Sequence, residues 1–319
     1  MNLPMLRGAT LLQVSHPERA VAFKKLALAV LVLIVSIFTC GSNPSRVRAK
    51  SPHLFVVHWE PARLVNGSPI LLQLKSPLRL ASVSGKWMDH SVFFSFDPPS
   101  KAWFGLAGVS LETRPGKYDL SLTATTEGGE EISFTRRMVI AKGKYRHIEV
   151  SVAKQFTEPS SEQLVEIKQE RQLKEDLFSR VTPEREWEGS FAPPVSAAIS
   201  DVFGTARVFN GETQSMHQGV DYAVPSGTPV KALNRGTVLL ARPLFFEGNC
   251  VVLDHGQGLL SLYMHLSKLE VKEGDDVTKG EEIALSGGSG RATGPHLHVA
   301  VRWQGVYLNP LSLLDLKLP

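Results

Sequence analysis

Gly294-Pro295-His296-Leu297-His298-Val299 decides how this chain is read, taken together with His217-Gln218-Gly219-Val220-Asp221 upstream. In an extended strand, side chains at i and i+2 share a face. His296 and His298 therefore project together, flanked by the apolar Leu297 and Val299. A neutral imidazole is a common ligand for a borderline metal, and a carboxylate can complete the set. Two histidines and one aspartate leave a fourth tetrahedral position for water or substrate. That is the pattern of a catalytic zinc rather than a structural one.

Around these two motifs the sequence after Pro194 consists of short β segments separated by glycines, at 228–232, 236–241, 250–254, 259–266, 282–286 and 296–301. Each is too short for a helix, so the unit is expected to be all-β. The phrase at 271–284 is similar to the strand–turn–strand of biotinyl and lipoyl carrier domains. Those carriers need a lysine at a hairpin tip, and neither Met-Lys-Met nor Asp-Lys-Ala occurs here. The likeness is one of architecture.

Several short motifs stand in one order: Phe203-Gly204, His217-x-Gly-x-Asp221, Ala223-x-Pro225-x-Gly227-Thr228-Pro229-Val230, Gly236, Tyr263-Met264-His265-Leu266, the phrase from Gly274 to Gly280, Ser286-Gly287-x-x-Gly290 and Gly294-Pro295-His296-Leu297-His298. Over about residues 190–314 this closely resembles the lysostaphin-like (LytM-type) zinc endopeptidases that cut peptidoglycan peptides. The resemblance implies a Zn2+ ion held by His217, Asp221 and His298. It also implies two catalytic, non-ligand histidines at His265 and His296, beside the metal and facing the substrate. Peptide hydrolysis needs a water activated by the metal, a proton acceptor and a donor for the developing oxyanion. His265 and His296 suit the last two tasks, and which does which is open. Tyr263 shares a strand face with His265 on this reading and is expected to pack.

One position departs from the pattern. Some relatives have a tyrosine six residues before the first ligand, and here that place is Gly211. Arg207 or Asn210 could substitute electrostatically, or could be solvent-facing loop residues. His255 matches no ligand position and reads as structural.

Ahead of this unit the chain divides into three. Residues 50–153 alternate short strands with turn signals such as Asn66-Gly67, Pro98-Pro99 and Gly128-Gly129. They are expected to form an immunoglobulin-like β-sandwich. Strands are expected at 54–59, 70–74, 92–96, 118–125, 131–140 and 147–152. His53, His58, His90 and His147 show no ligand spacing, and Trp59, Trp87 and Trp103 read as core rather than as a sugar-binding face. Residues 154–189 form a connector. Leu164, Ile167, Leu173, Leu177 and Val181 mark an amphipathic helix over 162–178, capped by Ser160 or Ser161 and ended by Thr182-Pro183.

Residues 1–49 read as a leader. Arg7, Arg19, Lys24 and Lys25 precede an apolar run at 26–38, short for a membrane span of about 20 residues. Cleavage after Ala49, retention of 26–38 as an inner-membrane anchor, and lipidation of Cys40 are three readings, in that order of preference. All three export the rest of the chain to the periplasm or cell envelope. The other cysteine, Cys250, is expected to be a buried strand thiol, and without any CxxC pair a thiolate metal site is excluded. The net charge of +4 reads as a soluble surface and makes no case for nucleic acid. The expected partner is the peptidoglycan peptide stem, and the oligomeric state is open. The expected function is an exported zinc metalloendopeptidase. The alternative is a non-catalytic wall-binding or hydrolase-activating protein on the same architecture.

Overall fold

Alternating apolar residues between glycine and proline turns favour strands, and strands dominate the computed structural model. It describes residues 47–48, 54–209, 211 and 213–319. The expected leader, including the apolar run at 26–38 and Cys40, lies outside the described residues. No helix among the described residues is long and apolar enough to cross a membrane.

The amino-terminal part contains β1 (Val56–Glu60), β2 (Pro69–Lys75), β3 (Leu80–Trp87), β4 (His90–Asp97), β5 (Ala102–Gly108), β6 (Gly116–Thr126) and β7 (Glu131–Ala141). They are ordered β7-β6-β3-β4-β5-β2-β1. The first half of β4 pairs with β3 and its second half with β5. This strand is therefore the corner at which the sheet folds into two layers. Ile70, Leu72, Leu74, Leu120, Leu122 and Met138 fill the space between them. Trp87 is fully buried and donates its Nε1–H to Gly108 O at 2.8 Å, and Trp59 and Trp103 pack on the same core.

The sequence reading lacked β3 and β5. Glycine is depleted in strands, and both contain it. At Gly105 it is needed, because a Cβ there would lie 2.9 Å from Val92 Cγ1.

Next come β8 (His147–Val150) and α1 (Ser161–Phe178). The helix is capped by Ser160, whose side chain accepts from Gln163 N while Gln163 reaches back to the Ser160 N–H. The expected apolar stripe is only half realised. Leu164 and Val165 are more than half exposed, Ile167, Leu173 and Leu177 are half-buried, and burial is complete at Phe178. Polar contacts hold the middle of the helix instead: Lys174 pairs with Glu247, and Glu170 accepts from Phe245 N.

The carboxy-terminal part contains β9 (Ile199–Asp201), β10 (Ala206–Phe209), β11 (Thr213–Met216), β12 (Gly219–Tyr222), β13 (Gly236–Leu244), β14 (Gly248–Asp254), β15 (Leu259–Leu269), β16 (Glu282–Ser286) and β17 (Leu297–Trp303). A short helix, α2 (Pro310–Asp315), closes the chain. The main sheet runs β9-β12-β17-β15-β14-β13, with β16 paired to the end of β15. Cys250 is buried and free, as read.

One strand is placed differently from the sequence reading. β8 leaves the sandwich and pairs in parallel with β10. The two halves also share one hydrophobic core. Asn309 N donates to Gly67 O at 2.8 Å, Gln304 Nε2 to Ser91 O at 2.8 Å, and His90 lies 5.2 Å from the Trp303 ring.

Phe178 anchors α1 in a second cluster with Leu240, Leu244, Leu260 and Leu262. Phe178→Ala is expected to lower stability by about 3 kcal/mol, the usual cost of emptying a phenylalanine site. Urea denaturation measures this, with tryptophan fluorescence as the signal.

Candidate metal centre

Strand parity puts the donors on one face. Val220 and Tyr222 point into the inner core, so Gly219 and Asp221 point the other way, and Leu297 and Val299 turn His298 outward in the same manner. Antiparallel pairing sets Asp221 opposite His298. Gly219 makes the approach possible: a Cβ there would lie 2.5 Å from His298 Nε2. His217 enters from the turn just before β12.

The three side chains are brought together. His217 Nε2 lies 3.1 Å from Asp221 Oδ1 and 3.0 Å from His298 Nδ1, and His298 Nδ1 lies 2.8 Å from Asp221 Oδ1. All three residues are buried, and among the described residues theirs is the group arranged to hold a metal. Zinc bonds of about 2.0–2.1 Å give a tetrahedron with edges of about 3.3 Å. A shift of a few tenths of an ångström would admit the ion, so the donor set fits zinc. His217 Nδ1–H donates to Val202 O at 2.9 Å, a carbonyl that can only accept, which fixes Nε2 as the lone-pair nitrogen facing the centre.

His265 and His296 stand beside this group, their rings 4.8 Å apart. His265 has φ +61° and lies at a break in the register between β14 and β15. Such a bulge re-aims a side chain. It corrects the expected shared face: Tyr263 is fully buried in the inner core, where its hydroxyl accepts from Leu233 N at 2.8 Å, whereas His265 lines the cavity with Met264. His265 Nδ1–H donates to Ser289 O and His296 Nδ1–H to Gly294 O, both at 2.8 Å, so each ring keeps a lone pair on Nε2. His296 Nε2 lies 3.9 Å from Asp221 Oδ1. Burial, with His298 and His296 adding to it, pushes His265 down to about 3, so its ring is neutral at neutral pH. The five residues line a cavity of about 460 Å³ that β8 borders with Ile148 and Val150.

Residues 215–310 match the model of peptidase family M23. The chain carries an M23 peptidase domain. Over 103 residues it is 42% identical to the peptidoglycan DD-endopeptidase ShyA of Vibrio cholerae, covering 32% of this chain and 23% of that protein. It is 40% identical over 121 residues to the DD-carboxypeptidase/endopeptidase Mpg of Neisseria meningitidis, covering 38% of this chain and 28% of the relative. The chain thus spans about a quarter of the length of the curated relatives it matches. A crystal structure from Pseudomonas aeruginosa assigned to peptidase M23 is similar with a TM-score of 0.61 and 26% identity. That likeness covers 79% of this chain and 95% of the other, more than the M23 domain alone supplies.

Behind the donors of the M23 domain is a charged network that the sequence reading missed. Asp201 on β9 accepts from Arg146 Nη2 (2.5 Å), Arg207 Nε (2.9 Å), Thr205 Oγ1 (2.8 Å) and Val202 N (2.9 Å). Its Oδ2 is 3.2 Å from His217 Nδ1. Burial works against its charge, but hydrogen bonds from His217, Arg146, Arg207 and Thr205 outweigh that and hold it well below the usual carboxylate range. Asp221 is held down in the same way, burial being outweighed by His217 and His298. Arg207 also donates to Asp221 Oδ2. Its guanidinium is committed to two carboxylates. Gly211, where some relatives have tyrosine, is exposed, and Asn210 lies outside the described residues. Nothing in the sequence marks Asp201 or Arg146; only the proximity of Asp201 to Phe203-Gly204 gives a hint.

His255 is structural, as read. Its Nδ1–H donates to Arg235 O (2.6 Å) and its Nε2 accepts from Ser261 Oγ (2.8 Å).

Two predictions follow from these contacts. Asp201→Asn is expected to weaken metal affinity by about 10–100-fold, the usual effect of losing an outer-shell partner of a ligating histidine, measured by competition with a chelator. Burial pushes His255 down from 6.5 to about 4, so as pH falls the unfolded chain takes up this proton first. The stability that neutral His255 contributes is complete above pH 6.5 and is lost as pH falls from 6.5 toward 4. His255→Asn is therefore expected to show a smaller drop in urea midpoint between pH 7 and pH 4.5 than the parent.

Proposed function

We propose that this chain is an exported zinc metalloendopeptidase that hydrolyses peptide crosslinks of peptidoglycan. The carrying observation is the convergence of His217, Asp221 and His298 in one cavity, with His265 and His296 alongside. Relatives named as peptidoglycan DD-endopeptidases support the substrate class. A wall substrate in turn supports a location outside the cytoplasm.

His217, Asp221 and His298 would hold the ion. Bound zinc supplies a Lewis acid and lowers the pKa of a coordinated water toward about 7. Both remaining imidazoles present a lone pair on Nε2, so one can accept the proton of the attacking water, and a ring donates toward the oxyanion of the scissile carbonyl only from an Nε2 that has taken up a proton. His265 enters this exchange neutral, with Nε2 open to accept. Ser289 O and Gly294 O fix both ring orientations before substrate arrives.

We read the amino-terminal sandwich, residues 50–153, as immunoglobulin-like. β1-β2-β5 with the second half of β4 follow the A-B-E-D order of that fold, and β3-β6-β7 its C-F-G order. Tyr118 on β6 donates to Arg114 O at 2.8 Å, in the manner of a tyrosine corner. Residues 154–189 connect it to the peptidase domain at 190–319, and residues 1–49 act as the export leader.

Mass spectrometry of fragments released from defined muropeptides tests the activity. The parent is expected to cut a peptide bond, and His298→Ala to lose both metal and cutting. His265→Ala and His296→Ala are each expected to keep the metal and lose about 100-fold or more in rate. A His298→Ala protein that cuts as well as the parent would exclude the metal mechanism.

A further inference from the structure

Two guanidinium groups line the cavity, and the fold employs them differently. Arg207 is tied to Asp201 and Asp221. Arg291, in the loop between β16 and β17, lies over the Phe209 ring at 4.7 Å and the Phe246 ring at 4.8 Å. Its backbone N–H donates to Phe246 O at 2.9 Å. No carboxylate among the described residues forms an ion pair with Arg291. The nearby acid is Glu247, whose Oε1 is taken by Lys174 at 2.5 Å and whose buried Oε2 has no hydrogen-bond partner.

An arginine whose guanidinium rests over two rings keeps its N–H donors in a rigid fork that matches a carboxylate. Left without an anion in a half-buried place, such a cation is poorly compensated. The chemistry of the reaction says where the anion would come from. Hydrolysis breaks the amide C–N bond and forms a C–O bond from water, and a water proton goes to the departing amine. The acyl-side residue has its carboxyl group tied up in the scissile amide. A free α-carboxylate beside the bond therefore belongs to the leaving-group residue.

Resting on the proposed hydrolysis, we infer that Arg291, clamped by Phe209 and Phe246, anchors a free α-carboxylate on the leaving-group residue of the substrate. Phe209 ends β10 and Phe246 lies in the loop between β13 and β14, and both rings line the cavity with Arg291 and the candidate metal donors, so the anchor and the reacting carbonyl share one cavity. Arg291 is then a specificity-determining residue: it selects bonds whose released amine carries a carboxylate.

The test uses the zinc-loaded full chain and two synthetic stem-like peptides ending in D-alanyl-D-alanine, one as the free acid and one as the carboxamide. Calorimetric titration reads affinity, mass spectrometry reads cleavage, and the metal content of every variant is measured. The parent is expected to bind the acid about tenfold or more tighter than the amide, the usual yield of a charge-assisted hydrogen bond. Arg291→Gln is expected to bring that ratio close to one, and Arg291→Lys to keep a smaller preference for the acid. Equal affinity of the parent for both peptides, or an undiminished ratio in Arg291→Gln at full metal content, overturns the anchor. Binding preference without cleavage of either peptide counts against hydrolysis of this bond and leaves the anchor standing. Cleavage of both at equal rates and affinities does the reverse.

Discussion

The site depends on one cross-strand contact, the meeting of Asp221 and His298 between β12 and β17. Three atoms that offer lone pairs are pressed within about 3 Å of one another on buried side chains. Such a cluster repels itself unless a cation or a shared proton sits inside it. The apolar partners on the opposite face impose the arrangement. Leu297, Val299 and Val301 fill the inner core, and a slip of one residue would carry His298 into that core and the leucine out of it. Burial of the apolar set thus determines where Asp221 and His298 stand, and Gly219 removes the one atom that would keep the strands' side chains apart.

Around this contact, charge is arranged in a definite order. Asp201 takes two guanidinium groups and stands behind His217, while Arg207 bridges from Asp201 to the outer oxygen of Asp221. Buried ion pairs add little net stability, because desolvation cancels most of their attraction. Their consequence here is positional. With Oδ2 of Asp221 held by Arg207, Oδ1 is the oxygen turned toward both imidazoles, and one oxygen is what a tetrahedral site needs from a carboxylate. The position six residues before His217 is Gly211, and Arg207 gives its charge to Asp201 and Asp221.

The donors were legible because strand parity is a rule of period two that can be applied to five or six residues at a time. Gly219-x-Asp221 and His298 follow it, and His217 and His296 stand just before their strands. The His265 bulge was not legible: simple alternation puts Tyr263 and His265 on one face, and only the broken register with its positive φ separates them. Asp201, Arg146 and Arg291 escaped for a different reason. Their partners lie far away in sequence, and a single charged residue has no local pattern. Composition also misled at β5, where two alanines and two glycines conceal a strand that lies in the interior of its sheet. β8 looked like a sandwich strand because it alternates, yet its partner, β10, follows almost sixty residues later.

That displaced strand and the helix after it change how the chain ahead of the peptidase domain is understood. β8 borders the cavity, and Phe156, just beyond it, packs on Phe245 and Phe246 at 5.5 and 6.4 Å. From α1, Glu170 accepts the Phe245 N–H, and Lys174 holds Glu247 on the same loop. These contacts fix the loop from both sides, and the loop carries the ring that supports Arg291. The half-exposed helix is therefore explained by what it grips. Its upper turns need no apolar stripe, because its role is met by two charged side chains and by Phe178 at its end. The helix braces the cavity wall through Phe245 and Glu247, and a change in its sequence would be felt at that wall before it was felt at His217, Asp221 and His298.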